Sequence, residues 1–167
     1  MGKKSIKENK NVYFEAREEA GLTRAQASEL IGTISESRLE KLETGKTAII
    51  PEDVVDMAVA YKKPELCNYY CTHECRIGKD SVPEVKCSSL SEIVLGMLAA
   101  LNSLDAQKNR LIDITADGVI SDDELPDFVN IQKQLDQIDL TVESLKLWVA
   151  NTFADGKIDK KKLNALK

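Results

Sequence analysis

The sequence predicts an all-α protein, and three observations carry that prediction. Apolar side chains recur at intervals of three and four along nearly the whole chain, the period of one helix face and not of a strand. Aromatic residues make up only 5% of the chain and Pro occurs 4 times in 167 residues, so the residues that favour strands are scarce. Ser, Thr and Gly stand where helices begin and end. With 43% hydrophobic residues, a chain of this size can bury one modest core or two small ones.

Four segments are expected in order: a flexible basic arm over 1–10, a bundle of short helices over 11–66, a cysteine-bearing connector over 67–87, and a helical dimerisation or sensor domain over 88–167. The opening segment is Lys-rich and polar, and no apolar run reaches the length of a membrane span, which predicts a cytoplasmic protein. In that compartment thiols stay reduced. The formal net charge is −5, so attraction to nucleic acid has to come from a local patch. A single His, without a nucleophile and base beside it or a phosphate loop, argues against an enzyme.

Within 11–66, turns at Gly21, Gly32, Gly45 and Pro51 divide the chain into four or five short helices. Thr23 is a good N-cap, and Gln26 three residues later completes a capping-box pattern for a helix over Arg24–Ile31 that Gly32 closes. Ser35 caps a third helix that runs to about Thr44, where Gly45 stops it. Two short helices joined by a tight turn can present the second to a major groove. On that helix Leu39 and Leu42 share the core face, which leaves Ser37, Glu40, Lys41 and Thr44 opposite, with Arg38 beside them. Arg and Lys donate to guanine edges and Ser or Thr serves either strand, while Arg24 and Lys46 stand where they can hold phosphates.

Ala16-Arg17, Gly21-Leu22-Thr23, Gly32, Ser35, Leu42-Glu43-x-Gly45-Lys46 and Met57-Ala58 together resemble the XRE pattern, that of Cro and phage repressors, over about residues 11–66. The resemblance implies a five-helix repressor-like domain that binds double-stranded operator DNA as a homodimer, with base contacts at Ser37, Arg38 and Lys41 and Arg24 at a phosphate-binding position. Ser35 completes the expected interface. Two departures stand out: Gly32 to Leu42 is one residue longer than usual, which loosens the turn, and Ala27-Ser28 replaces the common Leu-Ala pair. Residues 1–66 hold 11 Lys or Arg against 12 Asp or Glu, a net −1, and Glu36, Glu40 and Glu43 put carboxylates on the recognition helix itself. The competing reading is therefore a metal- or iron–sulfur-dependent switch, or a protein-interaction adaptor, that uses the helix-turn-helix fold as a scaffold.

Cys67, Cys71 and Cys75 stand at i, i+4 and i+8, with Pro64 placed in the first turn of a helix that contains them. In a continuous helix the outer thiols lie about 12 Å apart, too far for one tetrahedral ion. A break at Thr72-His73, with Cys87 returning as a fourth ligand, would allow zinc or an iron–sulfur cluster. The alternative is a row of small thiols used for packing.

Beyond the cysteines, Leu90, Ile93, Val94, Met97, Leu98, Leu101, Leu104 and Leu111 line one side of a helix of about 22 residues. Phe128, Ile131, Leu135, Ile138, Val142, Leu145 and Val149 alternate spacings of three and four, a heptad seam on a second long helix. The pair predicts a long-helix hairpin or a coiled-coil-like bundle. Either the two stripes bury each other, or part of the seam pairs with a second chain. Between the helices, Asp113, Thr115, Asp117, the Val119 carbonyl, Ser121 and Glu124 fill the ligand positions of a calcium loop around Gly118. The related stretch Asn151–Lys162 has Phe153 and Lys162 where ligands belong. Because it keeps Ala-Asp-Gly-x-Ile without the ligands, a plain hairpin turn is the favoured reading of both copies, ahead of calcium.

Overall fold

The computed structural model describes residues 11–159 and Lys162; the basic arm expected over 1–10 lies outside them. Among the described residues there are eight helices and no strand, as the apolar periodicity requires. They are α1 (Val12–Glu19), α2 (Arg24–Ile31), α3 (Glu36–Glu43), α4 (Pro51–Tyr61), α5 (Glu65–His73), α6 (Arg76–Ser81), α7 (Leu90–Thr115) and α8 (Leu125–Ala154). The chain forms two compact units, one of Met1–Val82 with Ala150–Lys167 and one of Pro83–Val149. Among the described residues no helix is long and apolar enough to cross a membrane.

The first unit is closed by side chains from all of α1 to α5. Tyr13, Ala27, Leu39, Val54, Met57, Tyr61 and Leu66 are each almost wholly buried and form one core. Local signals set the helix ends. Asn11 caps α1 by accepting from the Phe14 N–H at 3.0 Å, and its Nδ2 donates to the Leu42 carbonyl at 2.8 Å, tying the end of α3 to the start of α1. Pro51 opens α4, and Lys62 ends it in the left-handed region at φ 55°. The segment expected as a cysteine-bearing connector is helical from Glu65 to His73 and again from Arg76 to Ser81. As far as Val82 it belongs to the first unit, where α5 packs on α4 and on α6. The chain does break after His73, as a metal site would require, and Cys75 becomes the extended N-cap of α6. At the α5–α6 contact, Gly78 is buried against the backbone of Cys71, so close that a Cβ would overlap the Cys71 carbonyl.

Buried charge joins the first three helices. Arg17 on α1, 3% exposed, donates to the Glu43 carboxylate of α3 from Nε at 2.5 Å and from Nη2 at 3.1 Å, and from Nη1 to the Leu22 carbonyl at 2.6 Å. Arg24 of α2 donates from Nε to Glu43 Oε2 at 2.7 Å. An isolated buried carboxylate would be costly, whereas one shared by two guanidiniums is satisfied on both oxygens. Burial alone would lower the Arg17 pKa, but its hydrogen bonds to Glu43 and Glu18 raise it, so the guanidinium stays charged.

The second unit contains α7 and most of α8, an antiparallel pair. Ser89 caps α7 in a complete capping box with Glu92, whose carboxyl is held below the usual range by hydrogen bonds from the Ser89 N–H and hydroxyl. Arg110 donates to Asp127 at 2.6 Å, and the Cβ position of Gly96 stands 3.4 Å from Thr141 Cγ2. These two contacts are fourteen residues apart on each helix, two heptads, so one register runs along the hairpin. The second unit's α7 runs for 26 residues, to Thr115, somewhat longer than the expected helix of about 22 residues. Of its predicted stripe, Ile93 is buried, and Met97, Leu104 and Leu111 are partly so; Leu90, Val94, Leu98 and Leu101 are exposed.

Candidate nucleic-acid interface

The interface is built by α2, the turn after it and α3. Thr23 Oγ1 accepts from the Gln26 N–H at 3.2 Å while Gln26 Oε1 accepts from the Thr23 N–H at 2.9 Å, the reciprocal cap that the sequence predicted. Gly32 closes α2 at φ 76°, a conformation in which any side chain would be strained. The longer spacing after Gly32 does not leave the turn loose. Ile34 inside it is 2% exposed, and Ser28 Oγ donates to the Ile34 carbonyl at 2.8 Å. The unusual Ser28 thus fastens the unusual turn. Ser35 then caps α3, accepting from the Arg38 N–H at 3.3 Å.

Leu39 and Leu42 point into the core, and Ser37, Glu40 and Lys41 are exposed on the opposite face of α3, with Lys46 exposed beyond it. The two arginines predicted to meet DNA are held by carboxylates. Arg24 is joined to Glu43 as described, and Arg38 donates to both Asp53 oxygens, from Nη2 at 2.6 Å and from Nε at 3.4 Å. The Asp53 carboxylate raises the pKa of Arg38 by hydrogen bonding and by charge. Glu43 and Asp53 are thus partners of the candidate arginines that the sequence reading missed. Glu43 follows Leu39 by one turn, so its place on the buried face was legible from the helical period. Asp53 sits at the N-terminal turn of α4 and also accepts from the Ile50 N–H at 3.4 Å, a cap position whose tie to Arg38 no local pattern discloses.

Residues 15–72 match the family model of a helix-turn-helix domain. The match is consistent with the XRE-like pattern, covers about a third of the chain and reaches into α5. Neither a curated protein nor a solved structure matches the chain.

The other predicted sites are distributed over both units. Cys67 and Cys71 lie one turn apart on α5 and Cys75 follows the break, all half-buried, while Cys87 is exposed in the other unit. Burial, then the neighbouring Cys71, pushes the Cys67 thiol up. In the loop after α7, Asp113 and Thr115 remain on the helix, and Thr115 donates back to the Leu111 carbonyl at 2.9 Å. Asp117 accepts from the Val119 N–H at 3.0 Å, and Glu124 accepts from the Ser121 N–H and hydroxyl at 3.0 and 2.6 Å. Those are the bonds of an Asx turn and a helix cap. Among the described residues no three His, Cys, Asp or Glu side chains are placed to hold one metal ion.

Proposed function

We propose that the chain is a sequence-specific DNA-binding transcriptional regulator that acts as a homodimer, with α3 lying in the major groove. One observation carries this reading: in a domain that matches the helix-turn-helix family, the polar face of α3 is free of the core while its apolar face is locked into it. Ser37 and Lys41 are the side chains available for base edges, and Lys46 follows the helix where a phosphate passes. Arg24 reaches a phosphate with the guanidinium nitrogens that its Nε bond to Glu43 leaves over. Arg38 must exchange Asp53 for a base before it can read one, so its contribution is the smaller.

Protein contact through the same fold is the second reading. It is favoured by the carboxylates of Glu36 and Glu40 on the exposed side of α3 and by the pairing of both arginines. A titration of the full chain against random duplexes at two salt concentrations, with sequencing of the retained pool, separates the two. A two-fold-symmetric enriched site is the expected result. Weak retention that vanishes with salt and enriches nothing favours protein contact. Once a site is known, Lys41→Ala should cost about 1–3 kcal/mol and relax preference at one position, Arg38→Ala should cost less, and Arg24→Ala should weaken all sequences alike. Unchanged binding in all three overturns the assignment.

A further inference from the structure

The apolar stripe of α7 is wider than one neighbour can cover. Plotted at 100° per residue, Ile93 and Ala100 mark the buried side, beside Gly96 which faces Thr141 of α8, and the half-buried Met97 and Leu104 mark its edge. Past that edge the apolar surface continues through Leu90, Val94, Leu98 and Leu101, so that the whole stripe, from Ala100 to Leu98, spans an arc of about 160° over three turns. A helix on the surface of a globular protein usually needs a stripe of about 100°. Leu98 is 51% exposed, and Leu95 beside it is 68% exposed. From Leu90 to Leu104 the only charged residue is Glu92. Asp105 and Lys108 then interrupt the stripe and set its length.

We infer that this outer face of α7 is the surface on which two copies of the chain associate, each copy laying Leu90, Val94, Leu98 and Leu101 against the same residues of the other. The inference rests on the homodimer proposed above and names its surface. Three features select a second copy as the occupant. The spacing of four, four and three is an 11-residue stripe that stays on one side of a nearly straight helix, and another helix carrying the same stripe can fill it. A face without charges offers nothing to steer or select an unlike partner, whereas a two-fold contact needs only that one patch be complementary to itself. With Leu95, the five side chains expose on the order of 400 Å² of apolar surface, about half of what each partner of a standard interface buries. The flanking Met97 and Leu104 extend it, and Leu135 of α8, 46% exposed, lies at the same level of the hairpin register. Doubling a two-helix hairpin makes the four-helix arrangement in which such stripes find cover.

Sedimentation equilibrium of the full chain, without DNA and across micromolar concentrations, tests this. The expected mass is twice the 18.5 kDa of one chain. In Leu98→Asp/Leu101→Asp the dissociation constant should rise at least about a hundredfold, with far-UV circular dichroism unchanged because both side chains are exposed in the single chain. Leu98→Gln should raise it less, and it keeps the test valid if the double variant loses helix. Val59→Asp, at the most exposed apolar position of α4, should leave the dimer intact. A single-chain mass at every concentration overturns the proposal, as does a doubly substituted, folded chain of unchanged mass, or dissociation by Val59→Asp alone. Since no DNA is present, a monomer that still selects an operator overturns this surface and not the reading of α3, and a dimer that retains no DNA does the reverse.

Discussion

The two compact units divide their apolar residues in opposite proportions. Among the described residues, eleven hydrophobic side chains are buried in the first unit and six in the second, while five large ones are exposed in the first and eleven in the second. Both units follow helical periodicity, so the difference lies in geometry. Five short helices crossing in several directions surround a centre, and each turns its apolar stripe toward it. Two long antiparallel helices share a single seam, and whatever lies outside that seam faces solvent. The first unit is complete as a single chain; the second has surface left over.

Buried charge is the sharpest way to break the first unit. Glu43→Gln leaves Arg17, 3% exposed, facing an amide, and removes the anion that also holds Arg24. The expected loss is roughly 3 kcal/mol or more, because removing one partner leaves a buried charge uncompensated. Urea unfolding followed by a probe in α1–α5 measures it. The second unit has no ion pair buried in this way among its described residues; its Arg110–Asp127 pair is half exposed, and its removal should change stability by less than about 1 kcal/mol. Equal losses from the two sites would mean that burial does not set the difference.

Glycine substitution sharpens the same comparison through packing. At Gly78 a new Cβ meets backbone, the carbonyl of Cys71, which cannot move without separating α5 from α6. Gly78→Ala should therefore destabilise the first unit by about 1–3 kcal/mol. At Gly96 the new Cβ reaches only Thr141 Cγ2 at 3.4 Å, an ordinary contact with the end of a side chain. There alanine removes a mid-helix glycine, and the second unit should gain up to about 1 kcal/mol. Opposite signs in thermal unfolding are expected; a loss at both positions would show that the hairpin is packed as tightly as the bundle.

Much of this architecture was legible in the sequence, and the remainder was hidden for definite reasons. The ends of α2 and α3 follow from Thr23, Gln26, Gly32 and Ser35, because caps and closing glycines act over three or four residues that a sequence shows side by side. The outward face of α3 follows from Leu39 and Leu42 by the helical period alone. What holds Arg24 and Arg38 lies nineteen and fifteen residues further along, and such pairings exist only after the helices have packed. The same is true of the cysteines. Their spacing on α5 was readable, yet whether thiols converge depends on where the chain goes after His73. For α7, periodicity showed how wide the apolar stripe is, but it carries no information on how many neighbours cover it.

The smallest expected effect concerns a flaw in the better-closed unit. Tyr61 is 3% exposed, and its hydroxyl is buried without a hydrogen-bond partner among the described residues. Such a group loses its bond to water on folding and regains nothing. Tyr61→Phe keeps the ring and removes the deficit, so the first unit should gain up to about 1 kcal/mol at neutral pH. The same site makes a pH signature. Burial, followed by the Glu43 carboxylate, pushes the Tyr61 phenol up to about 12 from its ordinary 10.0. The raised value favours the protonated form in the folded chain, so its contribution is complete below pH 10 and is lost as pH rises toward 12. A phenyl ring in its place has no proton to lose. Melting temperatures taken upward from neutral pH should therefore fall less steeply above about pH 10 in the variant than in the natural chain. Parallel curves would mean that the phenol reaches water after all, and that the core around Met57 and Leu39 is less closed than its burial indicates.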